Sequence, residues 1–195
     1  STNFQRTLAA DAERMDARLG LGISLLHTRQ AEQALECFDA CLRRNPADET
    51  ALFGKAVALE LVTRYDEALE IYRQIIAANP NAEEPMSNIV HIGMKRGDAA
   101  LVSETSEKLL ALRPFSQTAL EGLAWCAFAR EEFEAASRYS AKLVELTPEH
   151  FERRYNLGVA YQRLNKLDQA EKAYAEAARI RPDHAQSWAQ LGVVR

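Results

Sequence analysis

The sequence predicts an all-α fold, an array of antiparallel helix pairs, from three observations. Five of the six prolines, Pro46, Pro80, Pro114, Pro148 and Pro182, each lie 34 residues from the next. A fixed period of about 20–50 residues marks stacked units that bury their apolar faces against their neighbours. Within one period, Leu157, Tyr161 and Leu164, then Ala170, Ala173, Tyr174, Ala177 and Ile180, recur at helical spacings of three and four. Each helix therefore has one face to bury. Finally, Ala34, Ala68, Ala136 and Ala170 share one repeat position, early in the second helix. The two helices of a pair cross there, and a side chain larger than methyl would hold their axes apart.

In order along the chain, residues 1–14 are expected as a leading helix, with Phe4 lying 34 residues before Phe38. Repeats follow at 15–48, 49–82, 83–116, 117–150 and 151–184, and 185–195 opens a sixth. Each repeat reads as helix, tight turn, helix, proline turn. Asn165-Lys166 interrupts the last full repeat midway, and Pro182 ends its second helix, leaving Asp183 to cap the next. Val102 replaces the alanine in the third repeat, so a looser or shifted crossing is expected there. Phe38, Tyr72 and Tyr174 recur four residues after the alanine and fill the space between repeats. The third and fourth repeats carry Ser106 and Ser140 at that position, which leaves their packing to neighbours such as Leu109, Tyr139 and Leu143.

The repeat pattern resembles the tetratricopeptide repeat family, W-x2-L-G-x2-Y, then A-x3-F, then P. The nearest match reads Arg154, Leu157, Gly158, Tyr161, Ala170, Tyr174, Pro182, and the first repeat reads Arg18, Leu21, Gly22, Leu25, Ala34, Phe38, Pro46. The second keeps Ala68, Tyr72 and Pro80 but has Lys55-Ala56 for Leu-Gly. The fourth keeps Leu123, Ala136 and Pro148, and the third, with Ile89, Val90, Gly93, Val102 and Ser106, is the most degenerate. Trp188, Leu191 and Gly192 match the opening of a further repeat, and the uncapped apolar run over 188–194 reads as a cut in a longer array. The alternative is a short array whose ends pair with another copy.

The formal net charge of −4 across 195 residues lacks the basic footprint of a nucleic-acid clamp. No apolar run approaches the ~18–20 residues of a membrane span. Three cysteines and no secretory pattern point to a reducing, cytoplasmic setting. Cys37 and Cys41 lie four apart on one helix face, but zinc needs four ligands and none of the other candidates has the spacing, so they and Cys126 read as buried small hydrophobes. His150 and His184 are one repeat apart, a helix-pair width with axes ~8–10 Å apart, too far for one metal to bridge. No nucleophile elbow, P-loop or dinucleotide fingerprint appears. The expectation is a protein that is not an enzyme, with no catalytic residues, cofactor or metal.

The family resemblance implies a right-handed superhelix with a concave groove lined by the first helix of each repeat. Transferred through the period, three rows face it: Leu19, Phe53, Ser87, Glu121, Tyr155; Ile23, Val57, His91, Trp125, Val159; and Leu26, Glu60, Met94, Phe128, Gln162. An apolar face with aromatic members suits a binding surface. The expected peptide-binding groove is Leu19, Ile23, Phe53, Val57, His91, Met94, Trp125, Phe128, Tyr155 and Val159. Gly20, Gly54 and Gly122 lie beside it in register, either for close helix approach or for a partner's bulk. The family's clamp for chaperone C-terminal carboxylates is not matched: the first frame gives Leu19, Ile23, Gly54, Glu84 and Asn88 where lysine, asparagine and arginine are needed. The family's asparagine ladder is represented only by Asn88 and Asn156. Residues 117–150 hold three Lys/Arg against six Asp/Glu, and 151–182 hold seven against four, a charge step able to orient a dipolar partner.

These features predict a protein-protein interaction scaffold that binds an apolar or amphipathic peptide segment. The expected partner is another protein or peptide segment, with no nucleic acid and no membrane span. Two further readings are the targeting region of a larger enzyme such as a glycosyltransferase or sulfotransferase, and self-association through the uncapped end helices.

Overall fold

The computed structural model describes the backbone of residues 2–195 and the side chains of residues 14–195. The register of Phe4 lies outside the described residues. Among the described residues the fold is eleven α-helices and no strand: α1 (Thr2–His27), α2 (Ala31–Arg44), α3 (Glu49–Leu61), α4 (Tyr65–Ala78), α5 (Glu83–Arg96), α6 (Ala99–Leu112), α7 (Gln117–Ala129), α8 (Phe133–Leu146), α9 (Phe151–Arg163), α10 (Leu167–Ile180) and α11 (Ala185–Val194). From α3 onward the first helices start at 49, 83, 117, 151 and 185, and the second helices start at 31, 65, 99, 133 and 167. Both series step by the proline period. α1 runs unbroken through 14, so the leading helix and the first helix of the first repeat are one element. No proline or turn pair interrupts the stretch of alanine, arginine and glutamate there.

The chain divides into two compact units, Ser1–Met86 and Ser87–Arg195. In the first, α2 packs on α1 and α3, α3 on α4, and α1 also touches α3. In the second, each helix from α6 to α11 packs on the next.

Both kinds of turn repeat as faithfully as the helices. Each mid-repeat turn places one residue in the left-handed region, Arg29 (φ 58°), Thr63 (62°), Gly97 (70°), Glu131 (58°) and Asn165 (55°). The next residue donates its backbone N–H five residues back: Gln30 to Leu25 at 2.9 Å, Arg64 to Leu59 at 2.9 Å, Asp98 to Gly93 at 2.9 Å, Glu132 to Ala127 at 2.8 Å, Lys166 to Tyr161 at 2.9 Å. This is the Schellman closure, which satisfies a carbonyl the helix end leaves free. After each second helix the proline turn closes on the residue that starts the next first helix. Asp48 and Ser116 cap α3 and α7 by accepting from Ala51 (2.9 Å) and Ala119 (3.3 Å). The cap of α11 is His184, whose Nδ1 accepts from the Ser187 amide at 3.2 Å, not Asp183. The turn spends one residue more than expected before the helix begins.

The crossing positions are closed as the alanine pattern requires. Ala34, Ala68, Ala136 and Ala170 are fully buried, as are Phe38, Tyr72 and Tyr174. A Cβ on Gly22 would lie 2.9 Å from the Phe38 ring, one on Gly158 would lie 2.7 Å from Tyr174, and one on Gly54 would run into Phe38. Glycine at Gly54 and Gly122 thus serves close helix approach, the Gly122 backbone meeting Ser106 and Val90; Gly20 faces open space. The third-repeat crossing is not looser, as Val102 suggested. Val102 is fully buried, and a Cβ on Gly93 would sit 2.7 Å from its Cγ2. Gly93 occupies the register of Tyr161, so the larger valine is matched by a bare α-carbon opposite. Cys41 and Cys126 are buried, and burial pushes both thiols up in pKa. Cys37 is only half-buried, because it sits at the edge of the inward face of α2 beside Arg18 and Arg43.

Three substitutions test this packing and its turns. Gly20→Ala is expected to raise stability by up to about 1 kcal/mol in denaturant unfolding, whereas Gly54→Ala lowers it by about 1–3 kcal/mol through overpacking on Phe38. Thr63→Gly relieves a β-branched residue of a left-handed conformation and is expected to raise the unfolding free energy by about 1 kcal/mol; an unchanged midpoint would place no strain in that turn.

Candidate functional site

None of the ten expected groove residues is buried: Leu19, Phe53, Val57, Met94, Trp125, Phe128, Tyr155 and Val159 are half-buried, and Ile23 and His91 are exposed. In the first unit, the Phe53 ring rests on Tyr72 with centroids 5.9 Å apart, beside Val57 on the same helix.

In the second unit, four of these residues converge. A cavity of about 440 Å³ opens between α5, α7, α8 and α9, with Met94, Trp125, Phe128 and Val159 in its lining. Each is seated on buried side chains behind it. Met94 and Trp125 pack on Val90, Val102 and Cys126; Phe128 packs on Ala127, Ala136 and Ala160; Val159 packs against the cluster of Ala170 and Tyr174. Ala124, Ser140 and Leu143 also line the cavity. Ser140 stands in the register of Phe38, Tyr72 and Tyr174, so the ring that fills this space in three other repeats is missing here. Ser106 leaves no such opening, because Val90, Val102 and the Gly122 backbone close in on it. A cavity of this size falls within the range of small-ligand sites, about 300–1,000 Å³.

Tyr155 and His91 do not line this cavity. Tyr155 belongs to an aromatic cluster, 6.1 Å from Phe151, 5.4 Å from His184 and 5.5 Å from Tyr174. Tyr174 in turn donates its hydroxyl to Gln162 Oε1 at 2.7 Å, and burial pushes that hydroxyl up in pKa.

The polar wall was not legible from the repeat pattern. Arg153 is a charged residue with a side chain only 9% exposed, while that of Glu121 is 38% exposed. Arg153 Nε donates to Glu121 Oε1 at 3.2 Å and Nη2 donates to the same oxygen. Nη2 also donates to Gln117 Oε1 at 2.9 Å, and Nη1 donates to Thr147 Oγ1. A buried guanidinium is tolerated when its donors are met in this way. Glu152 sits nearby, 3.1 Å from both His150 Nδ1 and Arg181 Nη2. A hydrogen bond from its own backbone amide, with Arg181 and His150 beside it, holds its carboxyl below the usual range against the effect of burial. Asn156 completes the rim and is exposed. Among the described residues, no group of three or more His, Cys, Asp or Glu could hold a metal ion, and no helix is long and apolar enough to cross a membrane.

Comparison with known families matches tetratricopeptide repeat models over residues 25–83 and 152–184. The chain belongs to the tetratricopeptide repeat family. Tetratricopeptide repeat protein 8 of Caenorhabditis elegans is 24% identical over 168 residues, 85% of this chain and 33% of that protein. The chain spans about a third of the length of the curated relatives it matches. Among solved structures, MamA from Desulfovibrio magneticus RS-1 aligns with a TM-score of 0.78 at 18% identity, over 87% of this chain and 96% of that one. YrrB, described as a tetratricopeptide repeat protein with an unusual peptide-binding site, aligns with a TM-score of 0.76 at 20% identity, over 94% of this chain and 95% of that one. At these identities the likeness is one of fold.

Within this repeat framework the Glu121–Arg153 pair ties α7 to α9. Glu121→Ala leaves the buried guanidinium without its counter-charge and is expected to cost about 2 kcal/mol in denaturant unfolding, less than a fully buried pair because Glu121 is partly solvated. A change within experimental error would show the pair to be dispensable for the fold.

Proposed function

We propose that the chain is a protein-interaction scaffold, with no catalysis of its own, that binds an apolar or amphipathic peptide segment by seating a side chain in the α5/α7/α8/α9 cavity. One observation carries this reading. The sequence-expected groove residues Met94, Trp125, Phe128 and Val159 line a single cavity with Ser140, which stands where three other repeats carry a ring. Apolar contacts from these side chains supply the attraction, and half-buried aromatic residues at the centre of a concavity suit hot-spot anchors. The exposed Asn156 amide at the rim can pair with a peptide's backbone, which needs both a donor and an acceptor.

Self-association is a second reading. It is favoured by Trp188 and Val193 of α11, which are 51% and 71% exposed. Concentration-dependent mass in sedimentation, abolished by Trp188→Ser, would support it.

Peptide display selection separates the first reading from packing that needs no partner. Ser140→Tyr supplies the missing ring from within, at a register flanked by Ala124 and Asn156. The second repeat carries Tyr72 with Ala56 and Asn88 at the same registers, so the replacement has a precedent in this chain. Peptides enriched on the wild-type protein are expected to share one large apolar residue and to lose binding at least about tenfold on Ser140→Tyr, consistent with loss of a hot-spot contact. Equal enrichment on a folded Ser140→Tyr protein would move the site elsewhere.

A further inference from the structure

The same cavity carries information about which side chain it accepts. Resting on the peptide-binding reading above, we infer that the cavity selects an uncharged aromatic side chain with a hydrogen-bond donor at its tip, tyrosine or tryptophan, and that Glu121 is the residue that reads the donor.

The apolar part of the lining, Met94, Trp125, Phe128 and Val159, favours a flat, polarisable body that can meet the two rings edge-on or offset. Charge then decides the tip. Glu121 and Arg153 neutralise each other in the wall, and Glu152 is balanced by Arg181. A partner lysine would face the Arg153 guanidinium, and a partner carboxylate would face Glu121. Either ion would lose its water without gaining a net counter-charge, which is unfavourable in a largely apolar cavity.

A neutral donor meets no such penalty. Arg153 engages Glu121 through Oε1 alone, by Nε and Nη2. The other carboxylate oxygen, Oε2, has no hydrogen-bond partner among the described residues. It is fixed in place by the Arg153 contacts, and those are braced by Gln117 and Thr147. A phenol O–H or indole N–H would donate to it in a charge-assisted hydrogen bond, stronger than one between neutral groups. Phenylalanine offers the same ring and no donor, so Oε2 would lose part of its water for nothing. Arg153 acts here as a positioning residue, holding the carboxylate that makes the distinction.

The test uses the full chain and five heptapeptides, identical Gly/Ser sequences except for a central tyrosine, tryptophan, phenylalanine, leucine or lysine, titrated by NMR with the Trp125 indole N–H as reporter. Tyrosine and tryptophan peptides are expected to bind about tenfold tighter than phenylalanine and leucine, as one hydrogen bond to a charged group contributes. Glu121→Gln, checked for an unchanged fold by its NMR spectrum, should reduce that ratio, chiefly by weakening the tyrosine and tryptophan peptides. Ser140→Tyr should remove binding of all five. Equal affinity for tyrosine and phenylalanine, an unaltered ratio in Glu121→Gln, or tightest binding by lysine would each overturn the inference while leaving the cavity a binding site. No binding by any peptide, or binding unaffected by Ser140→Tyr, would overturn the peptide-binding reading with it.

Discussion

The structure depends on how the space at each helix crossing is filled. A second helix approaches the first closely because alanine stands at the crossing, or in the third repeat Val102 opposite Gly93, and the residue four positions later then lies at the gap beside it. Phe38 does so against bare glycine backbone on both flanking helices, Gly22 and Gly54, and is fully buried. Tyr174 does so against Gly158. At these two rings the aromatic side chain and the glycine fit each other: glycine without the ring would leave a void, and a Cβ at Gly22, Gly54 or Gly158 would press into it.

Where the ring is lost, the repeats diverge. In the third, Ser106 is closed over by Val90, Val102 and the Gly122 backbone, and Gly93 in place of a larger residue makes room for Val102. The closure is imperfect in one respect, because the Ser106 hydroxyl is buried without a hydrogen-bond partner, a loss of about 1–3 kcal/mol. In the fourth, Ser140 has Ala124 rather than valine at the register of Val90, and Asn156 rather than glycine at the register of Gly122. Nothing moves in to replace the ring, and the cavity remains. One missing side chain therefore gives a packed core in one repeat and a concavity in the next, according to the residues at two other registers.

This contrast explains what the sequence could and could not reveal. The proline period, the alanine register and the helical spacing fix the helix pairs, because each reflects a local rule repeated five times. Most side chains at the groove registers are half-buried, because one register of successive helices has similar surroundings, but Ile23 and His91 are exposed. The cavity needed three residues from different helices to be weighed together, and the serines alone did not distinguish a filled gap from an open one. The left-handed turn residue was readable at Gly97 and Asn165 but not at Arg29, Thr63 or Glu131, where the Schellman hydrogen bond overrides residue preference. Tyr155 was read by register as a groove anchor, yet contacts with Phe151, His184 and Tyr174 draw it into the packing of α9 and α11.

Arg153 was the least legible of all, since among solvated helix charges one more arginine carries no signal. Its burial becomes sensible only beside the cavity. A methyl or ring from α8 would shield the α7–α9 interface, and Ser140 gives neither. The guanidinium reaches Glu121, Gln117 and Thr147, on α7 and the turn after α8, and joins the elements that frame the opening. A buried ion pair is a weak source of stability, because desolvation offsets most of its attraction. Its geometry is nonetheless directional in a way that apolar packing is not, so it fixes where a carboxylate stands at the wall. The repeat that carries no ring at this register thus has a polar bracket beside the opening, with Glu121 and Arg153 both in the cavity wall.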